Sequence, residues 1–404
     1  MSALAAALRP LGADRDSIRS FDDEGPALLP YASMLTVRTR ARSELSYIEG
    51  VYEWQNEPLV FLVSGERLNG DFDLLNRLRR LIAMRGDAPY LGVYGHGSLD
   101  VYQVSLDANA PAQARVDLNL QYGEGVSTFA CLGNKRPGVA PGQRQWITQV
   151  ILNLLARSLD QLKQVSAIAD DDAISLVGRA LFARFLADRN LIPKTVAVDA
   201  DAIGTLFDNA RQARKTSDWL DQTFNGDFLP LAKSVFQQVP EAGYAALGDI
   251  LRKAPGGQLF LGWQERWGNL DFAHIPVGVL SQAYEHYLRR HAPSQQRKEG
   301  GYYTPRMIAD LMVRGAFAAR AQDADTHVAK VLDPASGAGV FLLTVFRELV
   351  AARWSTTGCG LIPRCFAIFS TTRLWASISM KRRCASPRLD SISFLLNSIP
   401  TQCQ

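Results

Sequence analysis

The chain has 404 residues, of which 47% are hydrophobic and 21% are charged, and this is enough material for two or three domains with buried cores. No apolar run approaches the roughly 18–20 residues of a membrane span, and no basic segment with an apolar core and a cleavage site stands at the N-terminus, so we expect a cytoplasmic protein. Only Cys131 lies outside residues 355–404, and no paired Cys/His spacing occurs. A disulfide framework and a structural zinc site are therefore not expected.

Residues 1–140 are expected to form a small α/β accessory domain. The pattern predicts strands at 58–63, 90–94 and 99–104, with a Gly95-His96-Gly97 turn between the last two, and a helix at 74–84. Such a domain could hold DNA or a partner, or could only stabilise the chain. Both interpretations stay open.

Residues 141–295 have the apolar spacing of helices. One helix is predicted from Trp146 to Leu162. A second has its apolar positions from Ile174 to Phe185 and is predicted to end within residues 189–193. The predicted fold class is therefore α/β and α, with a helical middle region.

Two short motifs follow. Residues 300–305 are Gly-Gly-Tyr-Tyr-Thr-Pro, and residues 331–342 are Val-Leu-Asp-Pro-Ala-Ser-Gly-Ala-Gly-Val-Phe-Leu. The second motif predicts a strand, a tight turn and the start of a helix, and glycines in such turns let the backbone approach a nucleotide. Leu342 stands where the dinucleotide fingerprint has its third glycine, which favours S-adenosylmethionine over NAD.

These motifs resemble those of the N6-adenine DNA methyltransferases of restriction–modification systems, such as type I modification subunits and type IIG-like enzymes. That family has Asp-Pro-x-x-Gly-x-Gly-x-Phe-Leu as its first motif, with a Tyr-Thr-Pro segment upstream that covers the same donor. Weaker matches extend the resemblance to residues 145–353. It implies that residues 296–354 begin a Rossmann-like S-adenosylmethionine-dependent methyltransferase domain. It also implies double-stranded DNA and a specificity or restriction subunit as partners.

The resemblance assigns a set of donor-binding residues. Tyr303 and Thr304 would contact the amino-acid end of the donor, and Asp333 with the turn through Gly339 would hold its amino group and ribose. Thr304 and Pro305 are also predicted to start a helix with Ile308, Leu311, Met312 and Ala316 at helical spacing. The two tyrosines could instead pack under this helix start, and Phe341 could belong to a helix core. The full set is Tyr302, Tyr303, Thr304, Pro305, Asp333, Pro334, Ala335, Ser336, Gly337, Gly339 and Phe341.

Two parts of the family's machinery are missing from the sequence. The family holds the target amine with an Asn/Asp-Pro-Pro-Tyr/Phe loop, and this chain contains no Pro-Pro pair. A second strand should carry an acidic residue for the ribose, yet the only acidic residues after Asp333 are Glu348 and Asp390. We therefore assign no catalytic residue.

Residues 355–404 differ in composition from the rest. They hold six basic residues against one acid, whereas residues 1–354 hold 38 basic and 39 acidic residues. This segment is predicted to be an aberrant, disordered tail without stable backbone pairing, produced by a frameshift. Residues 375–386 can be encoded by a DNA sequence that has a second meaning when it is read two bases later. The shifted frame then encodes Gly-Phe-Asp-Ile-Asn-Glu-Ala-Ala-Leu-Arg-Phe. This string resembles the family's second strand and the helix that follows it. A genuine but unusual tail is the alternative.

The sequence thus predicts a site-specific adenine DNA methyltransferase in the form of an inactive fragment. One alternative is a noncatalytic DNA- or partner-binding protein with a remnant donor pocket, and another is a protein-glutamine methyltransferase. A metal-dependent nuclease is not predicted, since no lysine has an acid two residues earlier and Glu53-Trp54-Gln55 is only a distant variant of that element.

Overall fold

The structure is a computed structural model that describes residues 3–41, 43–95, 97–106, 114–117, 128–134, 147–224, 229, 231–252, 266–275, 304, 306–320, 331–333, 340–357 and 374–376. Over these ranges the protein is mixed α/β, with more helix than strand. It separates into a first unit of Met1–Glu24, Pro30–Asn153 and Lys253–Leu280 and a second unit of Gly25–Leu29, Leu154–Arg252 and Ser281–Gln404. The division of the sequence into four segments stays a prediction.

The strands form two sheets. They are β1 (Ile18–Ser20), β2 (Ile48–Trp54), β3 (Glu57–Ser64), β4 (Tyr90–Gly95), β5 (Ser98–Gln103), β6 (Val331–Asp333) and β7 (Leu374–Ala376). The first sheet has the order β1-β2-β3-β4-β5, and only its β3–β4 pair is parallel. The second sheet is a parallel pair of β6 and β7. The three predicted strands are confirmed as β3, β4 and β5.

Helices make up most of the rest. They are α1 (Ala3–Leu8), α2 (Ala32–Arg38), α3 (Gly65–Leu68), α4 (Phe72–Arg85), α5 (Thr128–Asn134), α6 (Ile147–Val165), α7 (Asp170–Asp188), α8 (Ala200–Gly204), α9 (Ala210–Phe224), α10 (Val235–Gln238), α11 (Glu241–Leu251), α12 (Arg306–Arg320) and α13 (Val340–Thr357). The helices predicted at 74–84, 146–162 and 174–185 are confirmed as α4, α6 and α7. In the described ranges no helix is both long and apolar enough to cross a lipid bilayer.

The core of the first unit lies around β3, whose residues 59–63 are all fully buried. A continuous apolar run of this kind is typical of a strand that is covered on both faces. The β2–β3 hairpin turns through Gln55 and Asn56, which both have positive φ, as a two-residue turn of this kind requires. Helix α4 then makes the long connection that a parallel β3–β4 pair needs, and Asp71 caps it by accepting a hydrogen bond from the Leu74 amide at 2.9 Å.

The helices of the second unit pack around α7, which is buried along most of its length. Arg184 is fully buried and donates hydrogen bonds to the Asp188 carboxylate, at 2.9 Å, and to the Ile250 carbonyl at the end of α11, at 3.0 Å. A buried guanidinium needs such partners because its charge is otherwise costly to desolvate. The contacts therefore tie α7 to α11.

The segment 355–404 departs from prediction at two points. Helix α13 continues to Thr357, and Leu374–Ala376 form β7, paired in parallel with β6. The prediction that this segment lacks backbone pairing is therefore wrong at β7. Its short apolar Leu374-Trp375 run suits a strand, and ladder hydrogen bonds use the backbone of any residue except proline. Residues 358–373 and 377–404 lie outside the described ranges.

Candidate functional site

The candidate site lies where β6 ends and α13 begins. Strand β6 ends at Asp333, helix α13 starts at Val340, and β7 pairs in parallel with β6 so that Asp333 is opposite Ala376. The three elements therefore form a strand–helix–strand unit. In sheets built from such units, ligands bind at the carboxyl ends of the strands, which is where Asp333 lies.

Asp333 lies on the side of β6 that faces the helices. Val331 packs against the apolar core of α12 and α13, whereas Leu332 is 64% exposed. Because side chains alternate along a strand, Asp333 shares the face of Val331. Asp333 is half-buried and its Oδ2 atom is shielded from solvent. It can therefore act as a partly desolvated hydrogen-bond acceptor at the end of the strand.

Helix α12 packs along α13 in a fixed register. The Thr344 hydroxyl donates a hydrogen bond to Asp310 Oδ1 at 2.8 Å, and Arg314 forms an ion pair with Glu348 at 3.5 Å. Both pairs join residues that are 34 positions apart in the chain. The partner with the higher residue number on α12, Arg314, contacts the partner with the higher residue number on α13, Glu348. The two helices therefore run in the same direction.

The same register applied to the first residue of each helix places Arg306 beside Val340. The start of α12, two residues after Thr304, is therefore brought to the start of α13, which follows the predicted glycine turn. Both helices present their unpaired backbone N–H groups at this end. The two sequence motifs thus meet at the carboxyl end of β6, although 28 residues separate Thr304 from Asp333 in the sequence.

An apolar core holds the two helices together. Its buried members are Val313, Leu342, Val345, Phe346, Leu349 and Val350. Phe341, half-buried, packs against this core, as does Phe317. The start of α13 is therefore anchored by apolar packing directly beyond the turn.

The structure describes three of the eleven predicted site residues. Thr304 is half-buried two residues before the start of α12, Asp333 ends β6, and Phe341 is in the first turn of α13. The others lie outside the described residues: Tyr302, Tyr303, Pro305, Pro334, Ala335, Ser336, Gly337 and Gly339. Asp333 and Phe341 therefore mark the two edges of the predicted turn, and Thr304 marks the approach to α12.

The predicted helix after Thr304 is confirmed as α12, but a different stripe of it is packed. Ala309 and Val313 are buried, whereas Ile308, Leu311 and Met312 are 49%, 74% and 57% exposed. Apolar residues occur around most of this helix, so their spacing predicts a helix without deciding which face is covered. Sequence reasoning also missed Asp310 and Thr344, whose pairing arises only when α12 and α13 pack.

Glu53, the distant variant of a nuclease element, is held within the first unit. It accepts a hydrogen bond from the Tyr31 hydroxyl at 2.7 Å and forms an ion pair with Arg19 at 2.9 Å. Burial, and next the negative charge of Glu53, raise the pKa of the Tyr31 hydroxyl above its ordinary range. Across the described ranges, no group of three or more His, Cys, Asp or Glu side chains could hold a metal ion.

Comparison with known proteins identifies the class of the segment that carries the site. Residues 277–360 match the family of N-6 DNA methylases. The matched range contains both motifs and the helices α12 and α13. It supports membership of an N6 DNA methyltransferase family for this part of the chain.

A more specific relative is the type I restriction enzyme HindI methylase subunit of Haemophilus influenzae. It is 28% identical over 124 residues, which are 30% of this chain and 25% of that protein. The match therefore spans about a quarter of the relative's length. No solved structure matches this chain significantly.

Proposed function

We propose that this chain carries the methyl-donor half of an adenine-specific DNA methyltransferase whose intact form transfers a methyl group from S-adenosylmethionine to adenine N6. The observation that carries the proposal is the common register of α12 and α13, which brings the Tyr-Thr-Pro segment and the glycine turn to one end of β6. In the family, these same two motifs hold one donor molecule.

The described residues fit such a donor chemically. Asp333 offers a half-buried carboxylate at the end of β6, suited to a cationic amino group. The two adjacent helix starts offer backbone N–H donors, suited to a carboxylate. S-Adenosylmethionine carries both groups at its amino-acid end, and its sulfonium centre would supply the methyl group. Thr304, at the start of α12, would close the site from the other side.

The chain as translated is proposed to lack two elements of a complete enzyme. Strand β7 ends at Ala376, and no acidic residue occurs from 349 to 389 to hold the ribose hydroxyls. No Pro-Pro pair is available to hold the target amine. Because orientation of the two reactants supplies much of the barrier reduction, donor affinity should be weak and methyl transfer should be undetectable.

A shifted frame would supply the ribose carboxylate at the right place. The alternative reading begins in the codon of Trp375 and encodes Gly-Phe-Asp, so its aspartate falls just beyond the end of β7. Since β7 is the parallel neighbour of β6, that aspartate would stand beside Asp333 at the carboxyl edge of the sheet. The position of β7 therefore supports the frameshift proposal.

The partners and compartment follow from the same proposal. The matched relative is a methylase subunit of a type I restriction enzyme, and we infer that the intact protein acts on double-stranded DNA together with a specificity or restriction subunit. Such an assembly would work in the cytoplasm.

Donor binding tests the proposal directly. Titration calorimetry of the purified chain with S-adenosylmethionine should show weak binding that Asp333→Ala abolishes. Asp23→Ala, which removes an exposed carboxylate in the first unit, serves as the matched control and should bind like the parent. Equal binding by the Asp333→Ala variant would contradict the assigned role.

A further inference from the structure

A positively charged groove lies on the helical part of the second unit. It has a volume of about 630 Å³ and is lined by α9 together with residues around α10. Its charged lining residues are Arg211, Arg214, Lys215, Asp218 and Lys233, and its aromatic lining residues are Trp219 and Phe236. Neither the donor site nor the N-6 DNA methylase match, which covers residues 277–360, includes this groove.

The groove has an excess of positive charge that the protein does not neutralise. Among its four cations, Arg214 has an ionic partner, Asp218, at 4.0 Å, and both side chains are 54% exposed, so that pair is weak. Within the described ranges, no ion pair is found for Arg211, Lys215 or Lys233. Residues 1–354 hold nearly equal numbers of basic and acidic residues. The groove is thus a local concentration of charge on a neutral body.

The cations form a row along one helix face. Arg211, Arg214 and Lys215 have the i, i+3, i+4 spacing that places neighbouring Cβ atoms about 5–6 Å apart. Like charges at this spacing destabilise a helix by about 0.2–0.5 kcal/mol per pair, and a bound anion would relieve that repulsion. A row of charges suits a polymer with repeated negative groups better than a single compact anion.

The residue types favour nucleic acid over an acidic protein. Lysine is depleted at protein–protein interfaces, whereas lysine and arginine supply the contacts that proteins make to DNA phosphates. Two of the four cations here are lysines, and all of the lysine and arginine side chains on α9 are exposed. The groove therefore has the chemistry of a backbone contact that does not depend on base sequence.

We propose that this groove binds the phosphate backbone of double-stranded DNA, with Arg211, Lys215 and Lys233 as the principal contacts. The identification of the polymer as DNA rests on the proposed function. The groove would hold the duplex without reading its sequence, and the donor site would remain a separate ligand site.

Salt dependence of DNA binding by the full chain tests the proposal. The probe is a fluorescently labelled 30-base-pair duplex, titrated with protein at several salt concentrations and followed by anisotropy. The double variant Arg211→Ala/Lys215→Ala should lower the slope of log affinity against log salt by about 1.8, since each phosphate contact contributes about 0.9. The affinity lost between about 50 and 200 mM salt should then be about tenfold smaller than in the parent.

Two controls separate charge at the groove from charge in general. Arg9→Ala/Arg15→Ala removes two exposed cations from the first unit and should leave the slope unchanged. Arg211→Lys/Lys215→Arg keeps both charges and should retain the parent slope, which shows that the groove variant acts through charge and not through unfolding. Lys233→Ala should reduce the slope by about 0.9 through a residue outside α9.

An unchanged slope in Arg211→Ala/Lys215→Ala would overturn the proposal, as would a stronger effect of the same variant on binding to poly-glutamate than on binding to the duplex. The titration with S-adenosylmethionine separates a failure of the groove proposal from a failure of the proposed function. If a groove variant has a lower salt slope for DNA binding but still binds S-adenosylmethionine like the parent, the effect is located in the groove. DNA binding that depends on the groove, together with no S-adenosylmethionine binding by the chain or by its frame-restored form, would refute the proposed methyltransferase function. The proposal that the groove binds DNA would then still stand.

Discussion

At the scale of single residues, Tyr31 shows how the first unit holds a buried carboxylate. Tyr31 is fully buried, its hydroxyl bonds to Glu53, and Arg85 lies 5.0 Å from the centre of its ring. The neutral hydroxyl is therefore required for packing, because an ionised phenol beside Glu53 would place two negative charges in the core.

Alkaline unfolding provides a test of this contact. Since the pKa of Tyr31 is raised in the folded state, its stabilising effect is complete below the ordinary tyrosine pKa of 10.0 and is lost as pH rises above that value. Tyr31→Phe should make the free energy of unfolding fall less steeply above pH 10, as measured by urea denaturation at a series of pH values. Tyr94 and Tyr102, whose pKa values are also raised by burial, should cause a remaining decline in the variant. An identical decline in parent and variant would show that Tyr31 is not responsible.

The environment of Asp333 depends on the elements around it. Its type and its place after an apolar run were sufficient to nominate it as a donor ligand. Its half-buried position depends on Val331 packing against the core of α12 and α13. A carboxylate is useful in this site only because its strand is covered on that face.

At the scale of elements, the pairing of α12 with α13 positions both motifs. The apolar core supplies the attraction between the helices, while the Thr344–Asp310 hydrogen bond and the Arg314–Glu348 ion pair specify their register. An exposed ion pair contributes little to stability. Thr344, which is 5% exposed, is therefore the more informative contact.

Thr344→Val should act on both stability and donor binding. Valine keeps the shape but removes the hydroxyl, which should lower the free energy of unfolding by about 0.5–1.5 kcal/mol and allow the start of α12 to move relative to the glycine turn. Weaker S-adenosylmethionine binding should accompany this loss, with calorimetry and chemical denaturation as the measurements. Ser355→Ala, which removes a hydroxyl that donates to the Ala351 carbonyl within α13, is the control and should leave donor binding unchanged. If Thr344→Val lost stability but bound the donor normally, the register would not be a positioning device.

At the scale of the whole molecule, the second sheet differs from the first in having one open face. It has two strands in the described ranges, β6 and β7, and Leu332 on β6 remains 64% exposed. A parallel sheet is usually covered on both faces. In the described ranges, the face of β6 that carries Leu332 is therefore open, whereas the face that carries Val331 is covered by α12 and α13.

Restoring the shifted frame should convert the fragment into an active enzyme. The 404-residue chain should transfer no detectable methyl group, whereas the frame-restored protein should incorporate radiolabelled methyl into adenine of unmethylated DNA. Asp333→Ala or Gly337→Val in the restored protein should abolish incorporation again, because each alters the donor turn.

Two outcomes would contradict this account. Robust methylation by the 404-residue chain alone would mean that the missing loop and carboxylate are replaced elsewhere in the chain. An intact reading frame through Gln404 at the locus, with no shifted continuation, would remove the frameshift. Donor binding without transfer by the restored protein would instead favour a noncatalytic role.

Local sequence patterns were enough to predict the apolar strands β3, β4 and β5, the helices α4, α6 and α7, and the motif with Asp333 at the end of a strand. Each follows from spacing, turn residues or an uninterrupted apolar run. Strand β2 was missed because Glu49, Gly50 and Glu53 interrupt its apolar pattern. The two carboxylates have partners elsewhere in the fold, which are Arg67 for Glu49 and both Arg19 and Tyr31 for Glu53.

Three other features could be read only from the folded chain: the packed face of α12, the proximity of its start to the start of α13, and the pairing of residues 374–376 with β6. The groove on α9 likewise became visible only when Lys233 was placed beside the helix. The physical reason is common to all four. Each depends on contacts between segments that are distant in sequence, and periodicity within one segment contains no information about which segment will cover it.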